Sequence, residues 1–140
     1  MKKIAIINGI NLGKGILGTR EVSIYGCLSF DEYFVGLEKR FPQFELHCFQ
    51  SDDLAQVVDF LHACKDYDGI ILNPGAYTHT SLVLADTIKA IPAPVVEVHI
   101  SNLFAREQFR RNSLIASACV GSISGFGLKG YDMAIFSFSH

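Results

Sequence analysis

The stretch Gly69-Ile70-Ile71-Leu72-Asn73-Pro74-Gly75 decides the fold. A short, nearly continuous apolar run that halts at asparagine, proline and glycine is the mark of a strand buried on both faces and ending in a turn. The same pattern occurs at residues 3–7, which run into Asn8-Gly9, and at residues 95–100, which run into Ser101-Asn102. Weaker strand patterns lie at residues 44–49, where polar and apolar residues alternate, and at residues 119–123. The alternation predicts a strand nearer the sheet edge. Each run is separated from the next by enough chain for a helix, which is the spacing of βαβ units.

The intervening segments supply those helices. Leu54, Val57, Val58, Leu61 and Cys64 recur at helical intervals, and Ser29 with Glu32 has capping-box spacing ahead of Phe34 and Leu37. Five strands alternating with helices predict an α/β fold: three layers, flavodoxin-like, with a five-stranded parallel sheet of order 2-1-3-4-5. In such a sheet, ligands sit beyond the carboxyl ends of the strands. The polar residues at those ends are Asn8 and Asn11, Asn73, and His99, Ser101 and Asn102.

Composition narrows the function. The 140 residues and 15.4 kDa suffice for one domain with a core, so residues 1–140 are expected to form a single domain. A net charge of -2 and a pI near 6.2 leave no electrostatic footprint for nucleic acid. No apolar run approaches the roughly 20 residues that span a bilayer. The chain also enters a strand pattern at once rather than a signal peptide, so a cytoplasmic protein with a small-molecule partner is expected. Cys27, Cys48, Cys64 and Cys119 form no CxxC pair, so neither a zinc knuckle nor a redox motif is read; reduced, mostly buried thiols are expected.

One connection is too long for an ordinary loop. Residues 9–28 carry Gly9, Gly13, Gly15, Gly18 and Gly26, and long glycine-bearing loops of this kind act as lids. Arg20 and Tyr25 lie within it. An exposed tyrosine and a solvated arginine are the plain alternative. For the tyrosine to act as a base near neutral pH, its pKa must fall from about 10 by about 2 to 3, at about 3 to 4 kcal/mol. An arginine at about 4 Å supplies only about 1 kcal/mol in water but about 4 at an effective dielectric near 20. The pair therefore works only where a closing lid excludes water.

Glu97 and His99 stand two apart in the fourth strand, so both side chains leave one face and the glutamate can orient or charge the imidazole. A strand-end histidine with its hydrogen bonds satisfied is the competing reading. His79 falls just before a helix that Thr80 or Ser81 is placed to cap. Arg106 and Arg110, four apart, are expected to share one face of the helix after Asn102, where surface charges would also look the same. Gly125-Phe126-Gly127-Leu128-Lys129-Gly130 matches GxGxxG but follows the last strand, so close strand-to-helix packing is expected rather than a dinucleotide site. His79, His99 and Glu97 lack local zinc-ligand spacing, and no lysine sits in an apolar strand-end setting suited to a Schiff base.

Taken in order, Asn8-Gly9-Ile10-Asn11-Leu12, Leu17-Gly18-Thr19-Arg20-Glu21, Ile24-Tyr25-Gly26, Gln50-Ser51-Asp52, Ile71-Leu72-Asn73-Pro74-Gly75-Ala76, Thr78-His79-Thr80-Ser81, Glu97-Val98-His99-Ile100-Ser101-Asn102, Ala105-Arg106-Glu107 and Gly125-Phe126-Gly127 resemble type II 3-dehydroquinate dehydratases along nearly the whole chain. The resemblance implies anti elimination of water from 3-dehydroquinate to 3-dehydroshikimate through an enolate, with no cofactor, imine or metal. It implies Tyr25, beside Arg20, as the base at C2. Asn11 would hold a water at the enolate oxygen, and His99, supported by Glu97, would be the acid at the C1 hydroxyl. Asn73, Ile100 and Ser101 would take the carboxylate, His79 and Arg110 the ring hydroxyls, and Arg106 would help close the site. Asp86 would reach a neighbouring subunit in homododecamers built from trimers.

The chain departs from that pattern in places. Ile10 and Val22 replace prolines, which frees backbone that proline would restrict. The segment from Asn11 to Arg20 is two residues longer than usual through Gly13-Lys14-Gly15, and the final helix is short. Two other classes are compatible with the strand pattern: a flavodoxin- or receiver-type binding module, and an inactive homologue kept for assembly. Asn73 stands where a receiver needs an aspartate, and Asn8-Gly9-Ile10-Asn11 lacks the hydroxyls of a flavin phosphate loop.

Overall fold

A computed structural model describes residues 1–9 and 29–139. The expected lid residues Asn11, Arg20 and Tyr25, together with Ile10, Val22, Cys27 and His140, lie outside the described residues. The strands are β1 (Lys2–Asn8), β2 (Phe44–Gln50), β3 (Gly69–Asn73), β4 (Val95–His99) and β5 (Gly121–Ser124). The helices are α1 (Phe30–Arg40), α2 (Leu54–Ala63), α3 (Leu82–Ala90) and α4 (Lys129–Ser137). All strand pairs are parallel, in the order β2-β1-β3-β4-β5, as the sequence pattern predicts.

The continuously apolar runs are the central strands. Every residue of β3 and β4 is buried, whereas β2, at the edge, buries Phe44 and Leu46 and leaves the residues between and beyond them partly or fully exposed. Because side chains alternate across a strand, Ile4, Ile6, Ile71, Val96 and Val98 face Leu37 of α1 and Tyr131 and Ile135 of α4. Ala5, Ile7, Ile70, Leu72 and Val95 face Val57 and Leu61 of α2 and Leu84 and Ile88 of α3. Each fully buried aliphatic side chain in these two layers contributes roughly 1.5 to 3 kcal/mol.

Caps fix where the helices begin. Ser29 Oγ accepts from Glu32 N, Asp53 Oδ1 from Ala55 N at 2.9 Å, and Ser81 Oγ from Leu84 N at 3.1 Å. Ser81 rather than Thr80 therefore caps α3. Asp31 and Glu32 in the first turn of α1 and Lys39 and Arg40 in its last complement the helix dipole.

The structure corrects three expectations. The fifth strand starts at Gly121 instead of residue 119, because Cys119 closes a 3-10 turn through its N–H to Ala116 O. Among the described cysteines Cys64 is buried, Cys119 is partly covered and Cys48 is exposed, so the thiols are less buried than expected. No α-helix lies between Asn102 and β5: three 3-10 turns, Leu103–Ala105, Gln108–Arg111 and Ala116–Ala118, occupy the connection. Arg106 ends the first and Arg110 lies in the second, so they do not share a helix face. Tertiary bonds to the 3-10 turn Gly75–His79 outcompete helical ones there: Leu114 N donates to Thr78 O at 2.8 Å, and His79 Nδ1 lies 2.7 Å from Asn112 O.

The GxGxxG match spans the β5 to α4 turn, with Gly125 and Gly127 at positive φ. A Cβ on Gly130 would sit 3.3 Å from Val98 Cγ1. Close packing is thus its role, as expected.

Candidate active site

Parallel register brings Gln50, Asn8 and Asn73 side by side at one edge of the sheet, with His99 aligned to Ser124 farther along the same edge. The two-residue step along β4 puts Glu97 and His99 on one face, and Glu97 Oε2 lies 2.6 Å from His99 Nε2. Glu97 is fully buried and His99 is 5 % exposed.

Three hydroxyls complete the carboxylate's shell. Thr78 Oγ1 and Ser113 Oγ each donate to Oε2 at 2.7 Å, and Ser122 Oγ donates to Oε1 at 3.1 Å. Burial alone would push the Glu97 carboxyl up. The hydrogen bonds from His99, Thr78 and Ser113, with the charge of His99, outweigh that and hold it at about 2. Glu97 is therefore an anion at neutral pH, and with Nε2 of His99 against it the Nδ1 side of the ring remains for another partner.

The His79 ring stacks 6.4 Å from that of His99, inclined by 20°, and the Phe109 ring meets His79 edge-on. Asn73, 3 % exposed, donates from Nδ2 to Tyr131 Oη at 2.9 Å and accepts at Oδ1 from Gly75 N at 3.2 Å. Beyond β4, Ile100, Ser101, Asn102, Ala105, Arg106 and the Gly125/Gly127 turn line an open cleft of about 470 Å³. Arg106 Nη1 donates to Ser101 Oγ at 3.2 Å across it.

The expected residues thus fall into groups. His79 with His99 and Glu97, and Ile100 with Ser101 and Arg106, are brought together. Arg110 is not among the residues lining the cleft. Its Nε donates to Glu107 Oε2 at 2.5 Å and its guanidinium lies over the Phe109 ring. Asp86 is exposed on α3, also outside the cleft lining. Asn11, Arg20 and Tyr25 lie outside the described residues.

Sequence reasoning missed Ser113, Ser122 and Tyr131, and gave Thr78 no role. Only Ser122 had a legible signal, since β4–β5 pairing in register sets it beside Glu97. Among the described residues, no group of three or more His, Cys, Asp or Glu side chains is placed to hold a metal ion.

A buried, charge-supported imidazole beside a polar cleft can deliver a proton to a leaving oxygen. A family model described as Dehydroquinase class II matches residues 2–139. A 3-dehydroquinate dehydratase of Caldicellulosiruptor saccharolyticus is 48% identical over 141 residues, spanning 98% of this chain and 96% of the relative. Another, from Clostridium perfringens, is 47% identical over 137 residues, spanning 95% and 92%. The crystal structure of a type II dehydroquinase from Butyrivibrio crossotus superposes with a TM-score of 0.91 at 39% identity, over 99% of this chain and 98% of that one. With the match running through nearly all of both partners in sequence and in fold, this chain belongs to the class II dehydroquinase family.

Proposed function

We propose that this chain is a 3-dehydroquinate dehydratase, a hydro-lyase that removes water from 3-dehydroquinate by anti elimination through an enolate to give 3-dehydroshikimate. The observation that carries the reading is the buried Glu97–His99 pair at the carboxyl end of β4, where the chain runs on into the cleft-lining Ile100, Ser101 and Asn102. Tyr25, kept anionic by Arg20, takes a proton from C2. The electron pair passes into the adjacent carbonyl, whose enolate oxygen meets a water held by Asn11. When the enolate collapses, the C1–O bond breaks and the departing hydroxyl leaves as water with a proton from His99. Since Nε2 of His99 is committed to Glu97, that proton leaves from Nδ1.

The substrate carboxylate is taken by Asn73, Ile100 and Ser101. His79 and Arg110 hold ring hydroxyls, and Arg106 closes the cleft. The route uses no cofactor. Residues 1–140 act as one catalytic domain with a lid at about residues 10–28. Assembly into trimers and then a homododecamer, with Asp86 reaching a neighbour's site, is supported by the exposed Leu82 and Val83 beside Asp86 on α3. Sedimentation mass tests it. A reducing cytoplasm suits the free thiols Cys48, Cys64 and Cys119.

The test follows the conjugated enone product in the ultraviolet, with and without chelator and borohydride. Activity insensitive to both supports the route, whereas substrate-dependent inactivation by borohydride points to a lysine imine. Tyr25→Phe is expected to abolish turnover and leave substrate binding largely intact; full activity in that variant removes the base.

A further inference from the structure

Tyr131 lies in α4 with no solvent exposure, its ring 4.8 Å from that of Phe30. Phenylalanine would fill that apolar space equally well, and a buried hydroxyl carries a desolvation penalty unless it is hydrogen-bonded. Burial pushes the Tyr131 pKa up, so the group stays a neutral hydroxyl with one proton to give. That proton goes to Asn8 Oδ1 at 2.7 Å. The oxygen then accepts from Asn73 Nδ2 at 2.9 Å, while Gly75 N–H occupies Asn73 Oδ1.

These bonds allow one arrangement. Turning the Asn73 amide over would set Nδ2 against the Gly75 N–H, donor facing donor. It would also oppose Oδ1 to a hydroxyl whose only proton is already given to Asn8. Among the described residues Asn73 is therefore left with one uncommitted N–H, a donor and not an acceptor, which suits a carboxylate. We infer that Tyr131 is a positioning residue for the reaction: its buried hydroxyl ties Asn8 at the end of β1 to Asn73 at the end of β3, and holds the Asn73 amide donor-outward for the substrate carboxylate. The assignment rests on the reading of Asn73 as a carboxylate-holding residue.

Steady-state kinetics on the full chain test it. Tyr131→Phe should raise KM for 3-dehydroquinate about tenfold, the scale of one lost neutral hydrogen bond, with kcat within about threefold of wild type. In an Asn73→Ala background the same change should add little to KM, because the group through which Tyr131 acts is gone. An unchanged KM, or effects that simply multiply, overturns the inference. An inactive wild type instead overturns the dehydratase reading on which it rests. Should Tyr131→Phe fail to fold, 15N-labelled wild-type protein decides. Slow solvent exchange of the Asn73 side-chain N–H that faces Tyr131 supports the assignment, and fast exchange of both its protons overturns it.

Discussion

Glu97 Oε2 and His99 Nε2 meet at 2.6 Å from the same face of β4, with Glu97 wholly removed from solvent. The carboxylate is worth its burial only because three hydroxyls and an imidazole donate to it. In exchange it fixes the ring orientation.

Removing either partner should therefore act on kcat. His99→Ala is expected to lower kcat by about 10²- to 10⁴-fold, the usual range for a positioned general acid. Glu97→Gln keeps the shape and removes the charge. Its expected loss is about 1.5 to 3 kcal/mol, or roughly 10- to 150-fold in kcat. The ultraviolet assay checks both, and a His99→Ala enzyme with wild-type kcat contradicts the proposed acid.

The same carboxylate sets an acid limit on stability. Its folded pKa of about 2 lies below the ordinary value of 4.5, so its contribution is complete above pH 4.5 and fades as pH falls towards 2. The contribution is on the order of 3 kcal/mol. Urea melts at pH 6, 4 and 3 should show the wild type losing its margin over Glu97→Gln through that window. Parallel curves for the two proteins would rule the contribution out.

Gly9 N donates to Asn73 O at 2.7 Å, and a Cβ at Gly9 would stand 2.8 to 2.9 Å from backbone atoms of Pro74. Backbone cannot turn aside as a side chain can. Gly9→Ala is expected to destabilise by about 1 to 3 kcal/mol and to lower activity, since the strand end carrying Asn73 must shift. Chemical denaturation and the enone assay read the two effects separately, and a neutral substitution refutes the close approach.

Leu84 and Leu82 sit two apart on α3 with opposite surroundings, Leu84 fully buried and Leu82 67% exposed. Leu84→Ala leaves a cavity and should remove about 2 to 5 kcal/mol. Leu82→Ala should stay within about 0.5 kcal/mol for the isolated subunit. Sedimentation of Leu82→Ala also reads the proposed assembly, where a fall in mass is expected.

The layered sheet was legible because burial imposes period two on strands and helical spacing on the crossovers, and both are local. Thus Ile70-Ile71-Leu72 and Val95-Val96 announced central strands, and the alternation through residues 44–49 announced an edge. The Glu97–His99 pair was legible for the same reason, two residues being one repeat of a strand. The connection after Asn102 was not. Its 3-10 turns follow from bonds to Thr78 and His79, more than 30 residues earlier in the chain.

By itself, then, the sequence determined the strand order, the carboxyl-end crevice, the family and the pairing of Glu97 with His99. The tertiary structure alone decided that Thr78 and Ser113 converge on Glu97, and that Tyr131 reaches Asn8 from 123 residues away. A lone hydroxyl leaves no periodic trace, and its partner is chosen only when distant segments pack against one another.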